Sequence, residues 1–156
     1  MNIRRASPRD AEAISSLIVE LSAPFYTSPT RDGAEPFLES IGADAERGYL
    51  SAGHFSYHVA ESDGRLVGVV ALRDNAHLFH LFVARPYQGL RLASRLWGIV
   101  KSEALAAGNP GEFTVNSSLN AVPVYERFGF VRSGEVRCMH GIAFQPMQLR
   151  ESRSGS

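Results

Sequence analysis

A single cysteine, Cys138, in 156 residues leaves no partner for an internal disulfide. A disulfide-stapled secreted scaffold is therefore excluded, and a reducing compartment fits. No apolar run approaches the roughly 20 residues needed to span a bilayer, and residues 1–10 are too polar and charged to read as a signal peptide. A cytoplasmic protein with no membrane attachment is expected. Sixteen Lys and Arg against sixteen Asp and Glu leave no net charge, so the broad attraction behind non-specific nucleic-acid binding is missing and no nucleic-acid partner is expected. No Cys and His cluster has metal-ligand spacing, and no metal is expected. Repeats and interdomain linkers are also absent. One domain over residues 1–150 should bury about two thirds of its unfolded surface, with 151–156 as a frayed, disordered tail.

What is present is a succession of short, well-punctuated elements. Ile3 to Ala6 reads as a strand. Ser7-Pro8-Arg9-Asp10 then offers an N-cap serine, a proline at the first helical position and a carboxylate three residues on. Ile14, Leu17, Ile18 and Leu21 recur at helical spacing up to Pro24. Residues 22–34, rich in Pro, Ser, Thr and Gly around Phe25 and Tyr26, form a loop of the kind that touches ligands. A second helix is expected over 35–47, with Phe37, Leu38 and Ile41 as its apolar face and Gly48 as its stop. Alternation at Phe55, Tyr57 and Val59 makes a strand, turned by Ser62-Asp63-Gly64 into 66–72 and by Asp74-Asn75 into 76–84. Leu92, Leu96 and Val100 share one helix face, ending at Gly108-Asn109-Pro110-Gly111. A strand over 113–116, a helix over 120–128 and two strands over 130–138 and 142–149 complete a mixed α/β layer fold.

The junction Val83-Ala84-Arg85-Pro86-Tyr87-Gln88-Gly89-Leu90-Arg91-Leu92-Ala93-Ser94 runs from an apolar strand through small residues into an amphipathic helix. The first N–H groups of a helix lack intrahelical partners and the macrodipole is positive there, so the turn can hold an anion. An ordinary strand-to-helix connection has the same appearance.

The order of elements, this junction and the later Val124-Tyr125-Glu126-Arg127-Phe128-Gly129-Phe130 together resemble the GNAT superfamily of acetyl-CoA-dependent N-acetyltransferases over nearly the whole chain. Gly89 and Ala93 match two small-residue positions of that family's Q/R-x-x-G-x-G/A-type pyrophosphate loop, which begins here at Gln88. The resemblance implies a mostly antiparallel sheet of six to seven strands with about four helices. It also implies acetyl-CoA as co-substrate, its pantetheine arm paired along the backbone of Phe82, Val83 and Ala84. The N–H groups of Gly89, Leu90, Arg91, Leu92, Ala93 and Ser94 would bind the pyrophosphate, and the strand ending at Asn116 would splay away to admit the thioester. Arg91 occupies the middle small position. A left-handed backbone there costs a non-glycine residue of order 1–2 kcal/mol, and a helical backbone, which is the expectation, costs nothing. Its guanidinium either meets a CoA phosphate or stays solvated.

Acetyl transfer to an amine needs a group to protonate the leaving thiolate and a group to take the amine's proton. The resemblance assigns the first role to Tyr125, whose alternative is packing with Phe128 and Phe130. For the second, His77 lies six residues before Val83, so period-two alternation turns both toward one face, and His80 toward the other. A structural role for either histidine remains open. Asn116 and Asn120 could meet cofactor amides or cap the helix, as could Ser118. Pro123 is unexpected inside a helix.

The resemblance implies direct attack by a primary amine in a ternary complex, without an acetyl-enzyme, since no paired nucleophile is evident. The acceptor would enter beside residues 22–34, the second helix and the last hairpin, including Phe25, Tyr26 and His140. Those segments show no dense acidic cluster of the sort a polyamine or aminoglycoside would attract, which favours a small, less cationic amine, and a small-molecule acceptor is expected rather than a protein. A homodimer is compatible with the sequence. The competing class is a non-catalytic acyl-CoA-binding or regulatory module of the same fold. A dinucleotide-binding domain is excluded, because antiparallel strands precede the loop and no acidic residue closes a following strand.

Overall fold

The computed structural model describes residues 1–151 apart from Pro29 and Leu90. Leu90, expected in the anion loop, and residues 152–156 of the expected tail lie outside the described residues. Strands β1 (Asn2–Arg5), β2 (Phe55–Ser62), β3 (Arg65–Arg73) and β4 (His77–Val83) pair antiparallel in that order. Asp63-Gly64 and Asp74-Asn75 both take positive φ, as two-residue turns matched to strand twist require. Next to β4, and parallel to it, lies β5 (Glu112–Ser117), and β8 (Ile142–Arg150) pairs antiparallel with β5.

The expected strand over 130–138 divides into β6 (Val131–Arg132) and β7 (Arg137–Met139), both paired with β8. Pro146 of β8 accepts from the Ser133 N–H at 3.0 Å but has no N–H to return. The ladder stops there, and the Gln145 side chain donates instead to the Gly134 carbonyl at 2.8 Å. Among the described residues the sheet is therefore mixed, mostly antiparallel and eight-stranded, somewhat larger than the six to seven strands expected.

Among the described residues five α-helices cover it. Helices α1 (Ala11–Leu21), α2 (Glu35–Ser40) and α3 (Ala43–Ser51) lie on one face, where Ile14, Leu17, Ile18 and Ile41 pack on Tyr57, Val59, Val69 and Ala71. The single helix expected over 35–47 is broken, because Gly42 is extended at ψ 163° as the N-cap of α3. Gly48 is no stop, and α3 runs through it. Helices α4 (Leu92–Ala106) and α5 (Val122–Arg127) cover the other face, where Leu96, Trp97 and Val100 meet Val70, Leu72, Phe113 and Phe130. A Cβ on Gly68 of β3 would stand 3.0 Å from Leu96 Cδ1, so its bare backbone lets α4 sit close to the sheet. Pro123 falls in the first turn of α5, where a missing N–H costs nothing.

Glu151, expected to begin a free tail, is held by its N–H to the Gly111 carbonyl at 2.8 Å and its carboxylate to Lys101 at 2.5 Å. No helix among the described residues is long and apolar enough to cross a membrane.

Candidate active site

The site begins where two strands part. β4 and β5 pair only at His77↔Thr114 and Leu78↔Val115, so beyond Leu78 the edge of β4 that faces β5 has no strand partner. A cavity of about 480 Å³ fills this gap and reaches both faces of the sheet. On the α4/α5 side it is lined by Val83, Gln88, Asn116, Asn120 and Tyr125, and on the other by Ile18, Phe25, Phe37, His80, Phe82 and Phe144.

Backbone direction sorts the three strand residues expected to carry a pantetheine arm. The Ala84 N–H donates to the Val67 carbonyl at 2.8 Å, and by alternation Phe82, opposite Val69, also directs its amide groups toward β3. Of the three, Val83 alone directs them into the gap. Its carbonyl accepts from Gln88 Nε2 at 2.8 Å, so Gln88 ties the loop back to the strand, and the Val83 N–H remains directed at the gap. Phe82 contributes its ring to the cavity instead.

The loop then turns through two residues at positive φ, Gly89 at 80° and Arg91 at 63°. Arg91 is left-handed, with ψ 13°, as the N-cap of α4, which corrects the expectation of a helical backbone there. The strain is accepted because the chain must turn into the helix at this point. No side chain caps α4, so the N–H groups of Leu92, Ala93 and Ser94 have no intrahelical partner. The Leu92 side chain is core, Ala93 is half-buried, and Ser94 and Arg91 are exposed. A Cβ on Gly89 would meet nothing within 4 Å. An open, uncapped, positively polarised helix start fits a pyrophosphate.

Across the gap, Tyr125 is buried on α5 with its ring edge-on to Phe128 and Phe130, at centroid distances of 6.1 and 5.8 Å. It both packs in the core and lines the cavity. Burial pushes its phenol well above the ordinary range, because the phenolate would lose its hydration. The hydroxyl therefore stays protonated and able to donate.

Of the two strand histidines, His80 faces away from Val83 as expected, and His77 does not share the face of Val83. A bulge where Ala71 pairs with His80 and Leu72 with Leu78 leaves Phe79 as an extra residue in β4. The extra residue cancels the parity between His77 and Val83. Leu78, Leu81 and Val83 face α4, whereas Phe79 and Phe82 pack on the α1–α3 side. His77 thus lies on the face opposite Val83, the same face as His80, but in the stretch of β4 still paired with β5 and outside the cavity lining, with Nδ1 2.7 Å from Thr114 Oγ1. Burial, and secondarily the Arg73 charge, lowers its pKa to about 4.

His80 is buried, lines the cavity, and places Nε2 3.0 Å from Glu46 Oε2. Glu46 is fully buried on α3, and its other oxygen accepts from the Tyr57 hydroxyl at 2.7 Å. Burial, and then Glu46, push the Tyr57 phenol far up, so Tyr57 is a donor only. A carboxylate accepting on both oxygens assigns the Nε2–H tautomer to neutral His80 and leaves Nδ1 as the basic nitrogen. Among the described residues Nδ1 makes no hydrogen bond.

Glu46 was invisible to periodicity. It precedes the half-buried Tyr49 and Leu50 by three and four residues on α3, a face that could have marked it, but a continuous helix over 35–47 obscured that phase. Of the expected acceptor residues, Phe25 lines the cavity. Tyr26 lies behind it, 6.0 Å from the Phe37 ring and bridged to Ile142. His140, at φ 54°, forms the β7–β8 turn with Gly141. Asn120 accepts from Ser118 Oγ at 2.8 Å, so it serves the local turn as well as the cavity wall.

Residues 25–151 match the family model for the acetyltransferase (GNAT) domain. Among curated relatives, "Probable N-acetyltransferase camello" of Xenopus tropicalis is 32% identical over 131 residues, 78% of this chain and 60% of that protein. "N-acetyltransferase family 8 member 2" of Rattus norvegicus is 34% identical over 108 residues, 62% of this chain and 47% of that protein. The chain thus spans about half to three fifths of the length of these relatives. The fold is shared with a GCN5-related N-acetyltransferase from Rhodopseudomonas palustris, at TM-score 0.75 and 23% identity over 94% of this chain and 93% of that one. It is shared also with the paia N-acetyltransferase of Thermoplasma acidophilum, solved in complex with coenzyme A, at TM-score 0.74 and 17% identity over 96% and 98%. The chain belongs to the GNAT superfamily of N-acetyltransferases.

Proposed function

We propose that this domain moves an acetyl group from acetyl-CoA to a primary amine by direct attack within a ternary complex. The observation that carries this reading is the gap between β4 and β5, which joins an uncapped helix start on one side to a cavity holding both Tyr125 and His80 on the other. The N–H groups of Gly89 and Arg91 to Ser94 bind the pyrophosphate, and the Val83 amide directs the pantetheine arm into the gap. Asn116 and Asn120 border that path.

His80 takes the acceptor's ammonium proton on Nδ1, directly or through a water, while Glu46 holds Nε2–H and stabilises the imidazolium that forms. The freed nitrogen lone pair attacks the thioester carbonyl carbon, the C–N bond forms and the C–S bond breaks. Tyr125 gives its hydroxyl proton, or a hydrogen bond, to the departing sulfur, and the proton that the new amide nitrogen must still lose returns to the tyrosine oxygen, so that the thiol ends with one amine proton and His80 with the other. His80 takes the place that parity assigned to His77, whose low pKa and Thr114 partner suit a structural role.

Binding of acetyl-CoA measured by calorimetry, followed by thiol release across a panel of amines, tests the reading. The expected result is binding with release for at least one amine class. Binding with no release for any amine would overturn it in favour of a non-catalytic acyl-CoA-binding module.

A further inference from the structure

Resting on the acetyl-transfer reading and deepening it, we propose that the acceptor is a monoamine whose carbon skeleton is apolar and carries an aromatic ring, rather than a polyamine or an aminosugar. On the α1–α3 side the cavity wall is mostly apolar, with Ile18, Leu21, Phe25, Phe37, Phe82 and Phe144 beside Ser40 and His80. Phe25 stands at the centre of an aromatic group, its ring 5.8 Å from Phe37 and 5.7 Å from Phe82. These are the separations at which a further ring packs edge-on or offset.

The charges around the cavity point the same way. Among the described residues no Asp or Glu lines the cavity, and the titratable side chains that do are Arg85, His80 and Tyr125. The carboxylate behind His80, that of Glu46, has both oxygens committed to Tyr57 and His80. One amine can be accommodated, because it gives its proton to His80 before reacting. A second ammonium would be stripped of water against phenylalanine, beside a cationic Arg85, with no anion to receive it. An uncompensated charge in such a place is strongly disfavoured. Size sets the other bound, since a cavity of about 480 Å³ must hold the acetyl-bearing end of the donor as well as the acceptor. Room is left for one ring on a short chain.

The experiment is calorimetric titration of the CoA-saturated protein with phenethylamine, ethylamine and spermidine, alongside acetyl transfer to each. Phenethylamine is expected to bind at least about tenfold more tightly than either of the others. Phe25→Ala should remove about tenfold of that preference while leaving acetyl-CoA affinity and the weak binding of ethylamine unchanged. Phe37→Glu should shift the preference toward spermidine. Equal or tighter binding of spermidine by the unaltered protein would overturn the proposal, as would phenethylamine affinity unchanged in both variants. If phenethylamine binds selectively and no amine is acetylated, the acceptor class stands as a binding specificity and the catalytic reading fails instead.

Discussion

Glu46 Oε2 and His80 Nε2 lie 3.0 Å apart, both residues buried, although 34 positions separate them in the chain. The pair joins α3 to the bulged stretch of β4 and orients the imidazole that lines the cavity. Glu46→Gln retains the shape but offers an amide in place of an obligatory acceptor, so the Nε2–H tautomer is no longer enforced. Turnover should fall by at least about 10-fold, and His80→Gln should lower it by about 10²-fold or more, with acetyl-CoA affinity unchanged in both. Equal turnover in a folded Glu46→Gln protein would reduce the pair to a core contact.

Tyr125 carries a prediction about pH as well as rate. Tyr125→Phe should lower turnover by about 10²-fold while retaining cofactor binding. Because burial raises the phenol, the wild-type rate should show no loss assignable to tyrosine ionisation up to at least about pH 10. An equally active and equally stable phenylalanine variant would make Tyr125 a packing residue.

Arg91 sits at φ 63°, where glycine alone is free of a Cβ penalty. Arg91→Gly should therefore match or exceed wild-type stability, by up to about 1 kcal/mol, and Arg91→Val should lose at least that much. Thermal melts of the two variants decide the sign. If Arg91→Gly also weakens acetyl-CoA, the guanidinium meets a phosphate; if affinity is unchanged, only the backbone matters.

His77 links stability to pH. Its pKa falls to about 4 in the folded state from about 6.5 in the unfolded chain, so the unfolded state binds more protons between those values. Its contribution is full above the upper value and is lost as pH falls toward the lower one. In His77→Gln the acid-side decline in unfolding free energy should be shallower across that window. An unchanged slope would show that other groups carry it. Activity in this variant should remain within a few-fold of wild type at neutral pH, in contrast to His80→Gln.

The last hairpin is anchored to the loop before α2. A Cβ on Gly141 would stand 2.7 Å from the Asp32 carbonyl and 2.8 Å from the Ala34 nitrogen, and the Thr27 N–H donates to the Gly141 carbonyl at 2.9 Å. Gly141→Ala should cost about 1–3 kcal/mol and loosen the wall carrying Phe25 and Phe144. Chemical denaturation measures the first, and a raised KM for the amine with an unchanged acetyl-CoA KM measures the second.

Local chemistry made much of this legible. Asp63-Gly64, Asp74-Asn75 and His140-Gly141 occupy turns, the apolar face of α4 is Leu92, Leu96 and Val100 as its spacing demands, and the loop through Gly89 precedes a helix as its composition implies. Each of these depends on a few adjacent residues, whose φ, ψ and hydrophobic period are properties of the local chain. The place of Tyr125 on a helix was legible too, because a short motif and its helix travel together.

The sequence by itself therefore determined most of the elements, their order and the family to which they belong, though not the break at Gly42 or the division of the strand opposite Pro146. Only the tertiary structure decided which histidine meets the cavity: one extra residue at Phe79 puts His77 on the same face as His80, and β4 parts from β5 only beyond Leu78, so His80 borders the gap and His77 does not. It alone brought Glu46 to His80 and Tyr57, because a buried charge is stable only where distant segments supply its partners. It alone turned Arg91 left-handed, as the path from β4 into α4 is constrained by the packing of both on one core.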